Sequence, residues 1–350
     1  MGTGAGAAEA SPRRLSSAYV GRLGYRPELD GLRGVAILIV MLGHLNVLGL
    51  GAAAKVGVML FFVLSGYLIT SLMVAEQAAT GTVDLRAFYL RRAARLLPAL
   101  LLVLIVVGLL YQAEGWAFGP VALPVIAYVG NWVIALGGHM PFLTHTWSLA
   151  IEEQFYLLWP VAFLLIGRSR HARNLLIAFA LGAVVWRLAS PPPFATNATV
   201  TMADGILIGC ALGLGMPSLR SMTAVTGWGL LLVSLIIGVA GANRLDLAVA
   251  TLAGAVLIMA AEQQGSRILA SAPLRMTGRI SYGLYLWNSI IIDVLGLRSV
   301  SLLIALPVGL LCSFAAAALS YRYVERPFLR WKARLGRSSS GWHQIDRVPS

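Results

Sequence analysis

Long apolar runs dominate this chain, and its polar residues collect between them. Runs near 34–51, 56–75, 96–113, 146–166, 174–190, 202–216, 224–241, 246–262, 280–297 and 301–321 approach the roughly 20 residues that cross a bilayer as a helix. A helix suits that setting because it satisfies its own backbone hydrogen bonds in hydrocarbon. A further apolar stretch, Trp116–Gly138, is interrupted by Gly119, Pro120, Pro124, Gly130, Gly137 and Gly138. Those breakers predict a re-entrant or short segment. The first 24 residues are rich in Gly, Ala, Ser and Arg without periodicity, which predicts a disordered tail. The expected fold class is all-α: a polytopic integral membrane protein with about ten transmembrane helices plus one re-entrant or short segment.

Composition sharpens this picture. Of 350 residues, 58% are hydrophobic and only 12% charged, against about 25% charged in an ordinary soluble domain. The mean hydropathy is +0.80. A soluble, collagen-like or disordered chain is excluded. The net charge of +13, from 27 basic and 14 acidic residues, would suggest nucleic acid in a soluble protein. Here its distribution decides. With ten spans and an inside N-terminus, 23 of the 27 basic residues fall on one side, leaving Lys55, Arg187, Arg244 and Arg298. The positive-inside rule then predicts both termini cytoplasmic, and no nucleic-acid partner. Eleven spans would place Arg168, Arg170 and Arg173 outside.

Cys210 and Cys312 lie in apolar runs and form no disulfide framework or zinc spacing. No metal motif, nucleotide-binding glycine loop or signal peptide is evident. The expected division is a disordered cytoplasmic tail over 1–24, a membrane domain over 25–330 and a basic cytoplasmic tail over 331–350.

Charges inside a bilayer are costly, so polar residues within the runs are the informative ones. Arg33 and His44 are eleven residues apart. On one helix they share nearly the same face, about 16 Å apart along it. Histidine is the side chain most readily used as a base near neutral pH; a helix–helix hydrogen bond is the plainer alternative. Arg92 and Arg95, three apart, share a helix face. Two guanidiniums there suit phosphate recognition; gripping lipid head groups is the plainer role. Ser148, Glu152 and Tyr156 follow i, i+4, i+8, with Glu153 turned about 100° away. The carboxylates could pair with His44 or an arginine, or compensate the helix dipole. Ser281, Tyr285 and Asn288 share a face, adjoining Tyr282 and Trp287; helix–helix bonding is again the alternative. Asp204 and Asp293 are further acids whose partners the spacing leaves open.

These segments, in this order, resemble the membrane acyltransferase family 3, the O-antigen and exopolysaccharide acetylases. The matching pieces are Tyr25-Arg-Pro-Glu-Leu-Asp-Gly-Leu-Arg-Gly with His44, Phe61–Ile69, Phe88–Pro98, His145–Pro160, Ser281–Trp287 and Glu325-Arg-Pro-Phe328. The family's Arg-x10-His pair falls on Arg33 and His44, and its Arg-x-x-Arg pair on Arg92 and Arg95. One departure stands out: the Ser-Tyr-x-x-Tyr-Leu-Trp motif is often followed by histidine, and here Asn288 takes that place. Asn cannot exchange a proton as imidazole does. Some members carry an extracytoplasmic hydrolase-like domain, which is not expected after Pro327.

The resemblance implies O-acylation in a bacterial cell membrane, with acyl-CoA, commonly acetyl-CoA, as donor substrate and no bound cofactor. His44 is implied as catalytic base, with Arg33, Glu152 and Glu153 in the catalytic set. Arg92 and Arg95 are implied to hold the donor's phosphates. Ser148, Tyr156, Ser281 and Tyr282 are the candidates for contacting substrate. The acceptor is a hydroxyl on a cell-surface glycan or its lipid-linked precursor. Two readings stand beside this one: O-acylation of a small metabolite such as a glycosylated antibiotic, and a non-enzymatic transporter whose buried charges line a path.

Overall fold

The computed structural model describes residues 26–51, 54–167, 169–217, 223–241 and 244–329. The expected tails, 1–24 and 331–350, lie outside the described residues. Every regular element among the described residues is helical. In chain order they are α1 (Pro27–His44), α2 (Ala54–Thr80), α3 (Leu85–Ala113), α4 (Gly119–Ile126), α5 (Gly130–Ala135), α6 (Trp147–Ile166) and α7 (Ala172–Ala189). Then come α8 (Thr199–Leu214), α9 (Ala224–Val239), α10 (Leu245–Gln264), α11 (Ala272–Arg279), α12 (Ser281–Val294) and α13 (Leu302–Ser320). A π turn, Tyr321–Glu325, continues α13.

Among the described residues, seven helical stretches are long and apolar enough to cross a bilayer: Ala54–Thr80, Leu85–Ala113, Thr144–Ile166, Ala172–Ala189, Phe194–Leu214, Leu245–Gln264 and Leu302–Leu329. The apolar runs had suggested about ten. The other three runs hold α1, α9 and α12, which fall short for visible reasons. α1 begins upstream of its apolar run, with Pro27 in its first turn, so Glu28, Asp30 and Arg33 lie within its first two turns. It stops at His44, well before 51, and Asn46 and Leu48 then take positive φ. α9 has 16 residues and α12 has 14. At 1.5 Å per residue they span about 24 and 21 Å, short of a roughly 30 Å hydrocarbon core.

The apolar surface faces outward. Leu101, Ile105 and Leu109 form an exposed stripe on α3, as do Leu157, Leu158, Val161 and Leu165 on α6. Such patches are a liability in water and suit contact with lipid. α2 and α10, by contrast, are buried along most of their length. α2 packs on α8 at very close range. Gly66 lies against the Ile206 carbonyl and Gly209 against that of Val63, leaving no room for a Cβ at either place. Small residues at helix contacts let backbones approach where no hydrophobic force draws helices together.

The Trp116–Gly138 stretch forms α4 and α5, of eight and six residues, both too short to cross. Asn131 docks this segment. Its Nδ2 donates to Thr199 Oγ1 (2.9 Å) and its Oδ1 accepts from Gln154 Nε2 (2.9 Å).

The two acids left open also find partners. Arg187 on α7 and Asp204 on α8 form a two-pronged pair, with Nη1–Oδ1 2.6 Å and Nη2–Oδ2 3.2 Å, essentially without exposure. Thr251 on α10 donates to the same carboxylate at 2.8 Å. Asp293 meets Arg298 at 3.2 Å in a more exposed place.

Candidate active site

Five helices converge on one cavity. α1 packs on α2 and α12, α12 packs on α3, and α2 packs on α6. Eight of the ten residues singled out in the sequence line it: Arg33, Arg92, Arg95, Ser148, Glu152, Tyr156, Ser281 and Tyr282. Phe61, Phe62, Leu96, Leu149 and Tyr285 supply much of the remaining wall. Helical periodicity accounts for the convergence. Ser148, Glu152 and Tyr156 are one stripe of α6, while Ser281 and Tyr285 are one stripe of α12.

The three arginines are not equivalent. Arg92 is engaged within the protein. Its Nη2 lies 3.3 Å from Glu153 Oε1, and its guanidinium sits over the Tyr156 ring, 3.1 Å from the centroid. Arg33 is half-buried and only loosely paired with Asp30, at 3.9 Å. Arg95 is exposed and makes no ion pair with a described residue. Asp30 and Glu325, the latter buried on the π turn, act on it only at electrostatic range. Arg92 and Arg95 therefore do not form a symmetric fork. One guanidinium is occupied, and the other is available to an anion.

The carboxylates also separate. Glu152 lines the cavity and accepts from Ser65 Oγ on α2 at 2.7 Å. Glu153 does not line the cavity and serves Arg92 instead. Neither holds the imidazole of His44; of the partners the sequence left open, Glu153 meets an arginine, Arg92, and His44 meets Asn288. The turn between the two glutamates explains their separation. Adjacent residues on a helix point about 100° apart and meet different neighbours.

His44 does not line the cavity either. Its Nδ1 is 2.8 Å from Asn288 Oδ1 on α12. Asn288 Nδ2 in turn donates to Ser313 Oγ on α13 at 3.2 Å. Asn288 lies three residues beyond Tyr285, a cavity residue, on the same α12 face. His44 therefore sits about one helical turn past the cavity's inner wall, and about 16 Å along α1 from Arg33. That wall is a hydrogen-bonded unit. The Tyr285 hydroxyl donates to the His145 carbonyl. Its contact with Ser148 Oγ at 2.9 Å must then run from serine to tyrosine. The Tyr282 hydroxyl donates to the Leu96 carbonyl on α3 at 3.1 Å. His145 is buried edge-on against Tyr285, with 5.3 Å between ring centroids.

Sequence reasoning missed Ser65 and Ser313 and singled out neither Tyr285 nor Asn288 as a site residue. The available signal was a lone hydroxyl in an otherwise apolar helix, at Ser65 and Ser313. For Tyr285 and Asn288 it was continuation of the Ser281 stripe.

Comparison with known proteins accords with this geometry. A family model described as "Acyltransferase domain" matches residues 26–322. O-acetyltransferase OatA of Staphylococcus aureus is 31% identical, over 90% of this chain and 58% of its own length. Peptidoglycan O-acetyltransferase OatA of Listeria monocytogenes is 30% identical, over 87% of this chain and 56% of its own length. The chain thus spans little more than half the length of these relatives. No solved structure matches it. With its charged cavity walled by the same segments that the family match covers, the chain belongs to the acyltransferase family.

Proposed function

We propose that this chain is a membrane O-acyltransferase that moves an acetyl group from acetyl-CoA to a hydroxyl of a cell-wall glycan. The observation that carries this reading is the arginine-lined cavity, whose inner wall stands one helical turn from His44. The donor bears a nucleotide polyphosphate at one end and a thioester at the end of a long flexible arm. Arg95 and Arg33 suit the phosphates, as guanidiniums with little internal pairing. Arg92, held by Glu153 and Tyr156, shapes the wall beside them. The arm then runs along α1 toward His44. The glycan acceptor is inferred from the relatives, one of which carries peptidoglycan in its name.

In the reaction, His44 takes the proton of the acceptor hydroxyl, and the oxygen attacks the thioester carbonyl. The tetrahedral oxyanion collapses, the C–S bond breaks, and the imidazolium returns its proton to the leaving sulfur. One ester and one free thiol result. The distribution of basic residues supports cytoplasmic termini. Arg33, near the start of α1, then faces the compartment that holds acetyl-CoA, and His44 lies deeper.

The test compares base-labile acetyl esters by mass in envelopes and small-molecule extracts. Cells carry either the intact protein or His44→Ala at equal membrane levels. Loss of an envelope glycan ester in the variant is the expected result. Identical esters in both strains, with one lost on deletion of the gene, would remove His44 from the chemistry. Loss of a small-molecule ester instead would move the acceptor to a metabolite.

A further inference from the structure

We infer that Asn288, backed by Ser313, is a positioning residue that fixes the His44 imidazole with its Nε2 lone pair free. The inference rests on the proposed acyl transfer and concerns how its base is prepared.

Neutral imidazole has two tautomers, and only the nitrogen without a proton can act as a base. The ring's observed hydrogen bond decides between them. Asn288 presents Oδ1 to His44 Nδ1 at 2.8 Å. An amide oxygen only accepts, so Nδ1 carries the proton and Nε2 keeps its lone pair. Nε2 makes no hydrogen bond with a described residue, and the histidine keeps some exposure.

The amide could defeat this by turning over. Its Nδ2 would then face Nδ1, the ring proton would move to Nε2, and the base would be lost. Ser313 does not by itself forbid that turn, because its hydroxyl can accept from Nδ2 or donate to Oδ1; Asn288→Asp, whose ionised side chain has no donor end, tests it. The Ser313 Oγ sits 3.2 Å from Nδ2, and Asn288 and Ser313 are both fully buried. With both ends engaged the amide is held in place, because a lost partner inside a helix bundle has no water to replace it. An asparagine there cannot relay a proton, but it can hold a tautomer. Asn288 therefore stands to His44 as the carboxylate stands to histidine in a hydrolase triad, without the charge. His145 and Arg298 are the other titratable or charged groups acting on the ring.

The test is thiol release from acetyl-CoA by the full chain in lipid nanodiscs, with soluble peptidoglycan fragments as acceptor. Asn288→Ala is expected to lower kcat roughly 100-fold, the order that a misplaced reacting group costs, with the KM for acetyl-CoA within twofold. Asn288→Asp is expected to retain transfer. Its carboxylate accepts from Nδ1 and also stabilises the imidazolium, so the acid limb of the kcat profile moves to higher pH. Ser313→Ala, which leaves the far end of the Asn288 amide without its partner, is expected to cost a few-fold in kcat. The double variant Asn288→Ala with Ser313→Ala should be no worse than Asn288→Ala alone.

Melting temperatures within a few degrees of the wild type separate positioning from folding. If Asn288→Ala unfolds, the Asn288→Asp pH profile and the Ser313→Ala kcat carry the test. An unshifted Asn288→Asp profile, or kcat retained in Asn288→Ala while His44→Ala is dead, would overturn this inference alone. No release by the wild type, or equal release by His44→Ala, would overturn the proposed function and this inference with it.

Discussion

Arg187 is fully buried, and its two terminal nitrogens meet Asp204 and the Thr201 carbonyl. Arg95 is exposed at a cavity and makes no ion pair with a described residue. Both arginines lie in helices long and apolar enough to cross a bilayer. The first belongs to a set in which charge meets counter-charge and which ties α7, α8 and α10 together. The second belongs to a set left incomplete. A charge retained inside a bundle without a protein partner is costly unless something else supplies the counter-charge. The contrast separates charges that hold the fold from charges that await a ligand, which position in the sequence alone cannot do.

The comparison breaks most visibly at Arg187. Its replacement by Ala strands the Asp204 carboxylate in a dry interior, at a cost of about 3–5 kcal/mol. Thermal unfolding in nanodiscs should show a large loss, with Asp204→Asn added to Arg187→Ala recovering part of it. An unchanged melting temperature would mean that the pair does not hold the helices. Arg95→Ala is expected to leave that temperature alone and to raise the KM for acetyl-CoA about 10- to 100-fold. That corresponds to a lost charge-assisted hydrogen bond of about 1.5–3 kcal/mol. A drop in stability with unchanged KM would place Arg95 with Arg187 instead. Arg92→Ala should fall between them, because it strands Glu153 and uncovers Tyr156 as well as altering the cavity wall. Stability lower by about 1–2 kcal/mol together with a several-fold rise in KM is expected. Ser65→Ala should be mildest, about 1 kcal/mol for one lost hydrogen bond to Glu152, read as a small shift in melting temperature.

Periodicity made much of the site legible in advance. Ser148, Glu152 and Tyr156 had to share a stripe, as did Ser281 and Tyr285, because 3.6 residues per turn leaves little choice. All five line the cavity. What periodicity could not supply was the partner of each group, which depends on how helices pack across the bundle. The pairing of Glu153 with Arg92, of Glu152 with Ser65 and of His44 with Asn288 joins residues 61, 87 and 244 positions apart. Helix bounds were less legible: seven helices among the described residues meet the length and apolarity of a span, against about ten apolar runs. The run at 34–51 gave no hint that its helix would start at Pro27 and end at His44. That shift is what leaves His44 at a helix end, facing α12.

The most direct measurement is free thiol released from acetyl-CoA by the purified protein in nanodiscs, wild type against His44→Ala, with soluble peptidoglycan fragments supplied. The predicted result is acceptor-dependent release by the wild type and a loss of at least roughly 100-fold in the variant, the range of general-base catalysis. Equal release by the two proteins, or none from either, would contradict a cavity that receives acetyl-CoA and brings its thioester to an acceptor hydroxyl activated by His44.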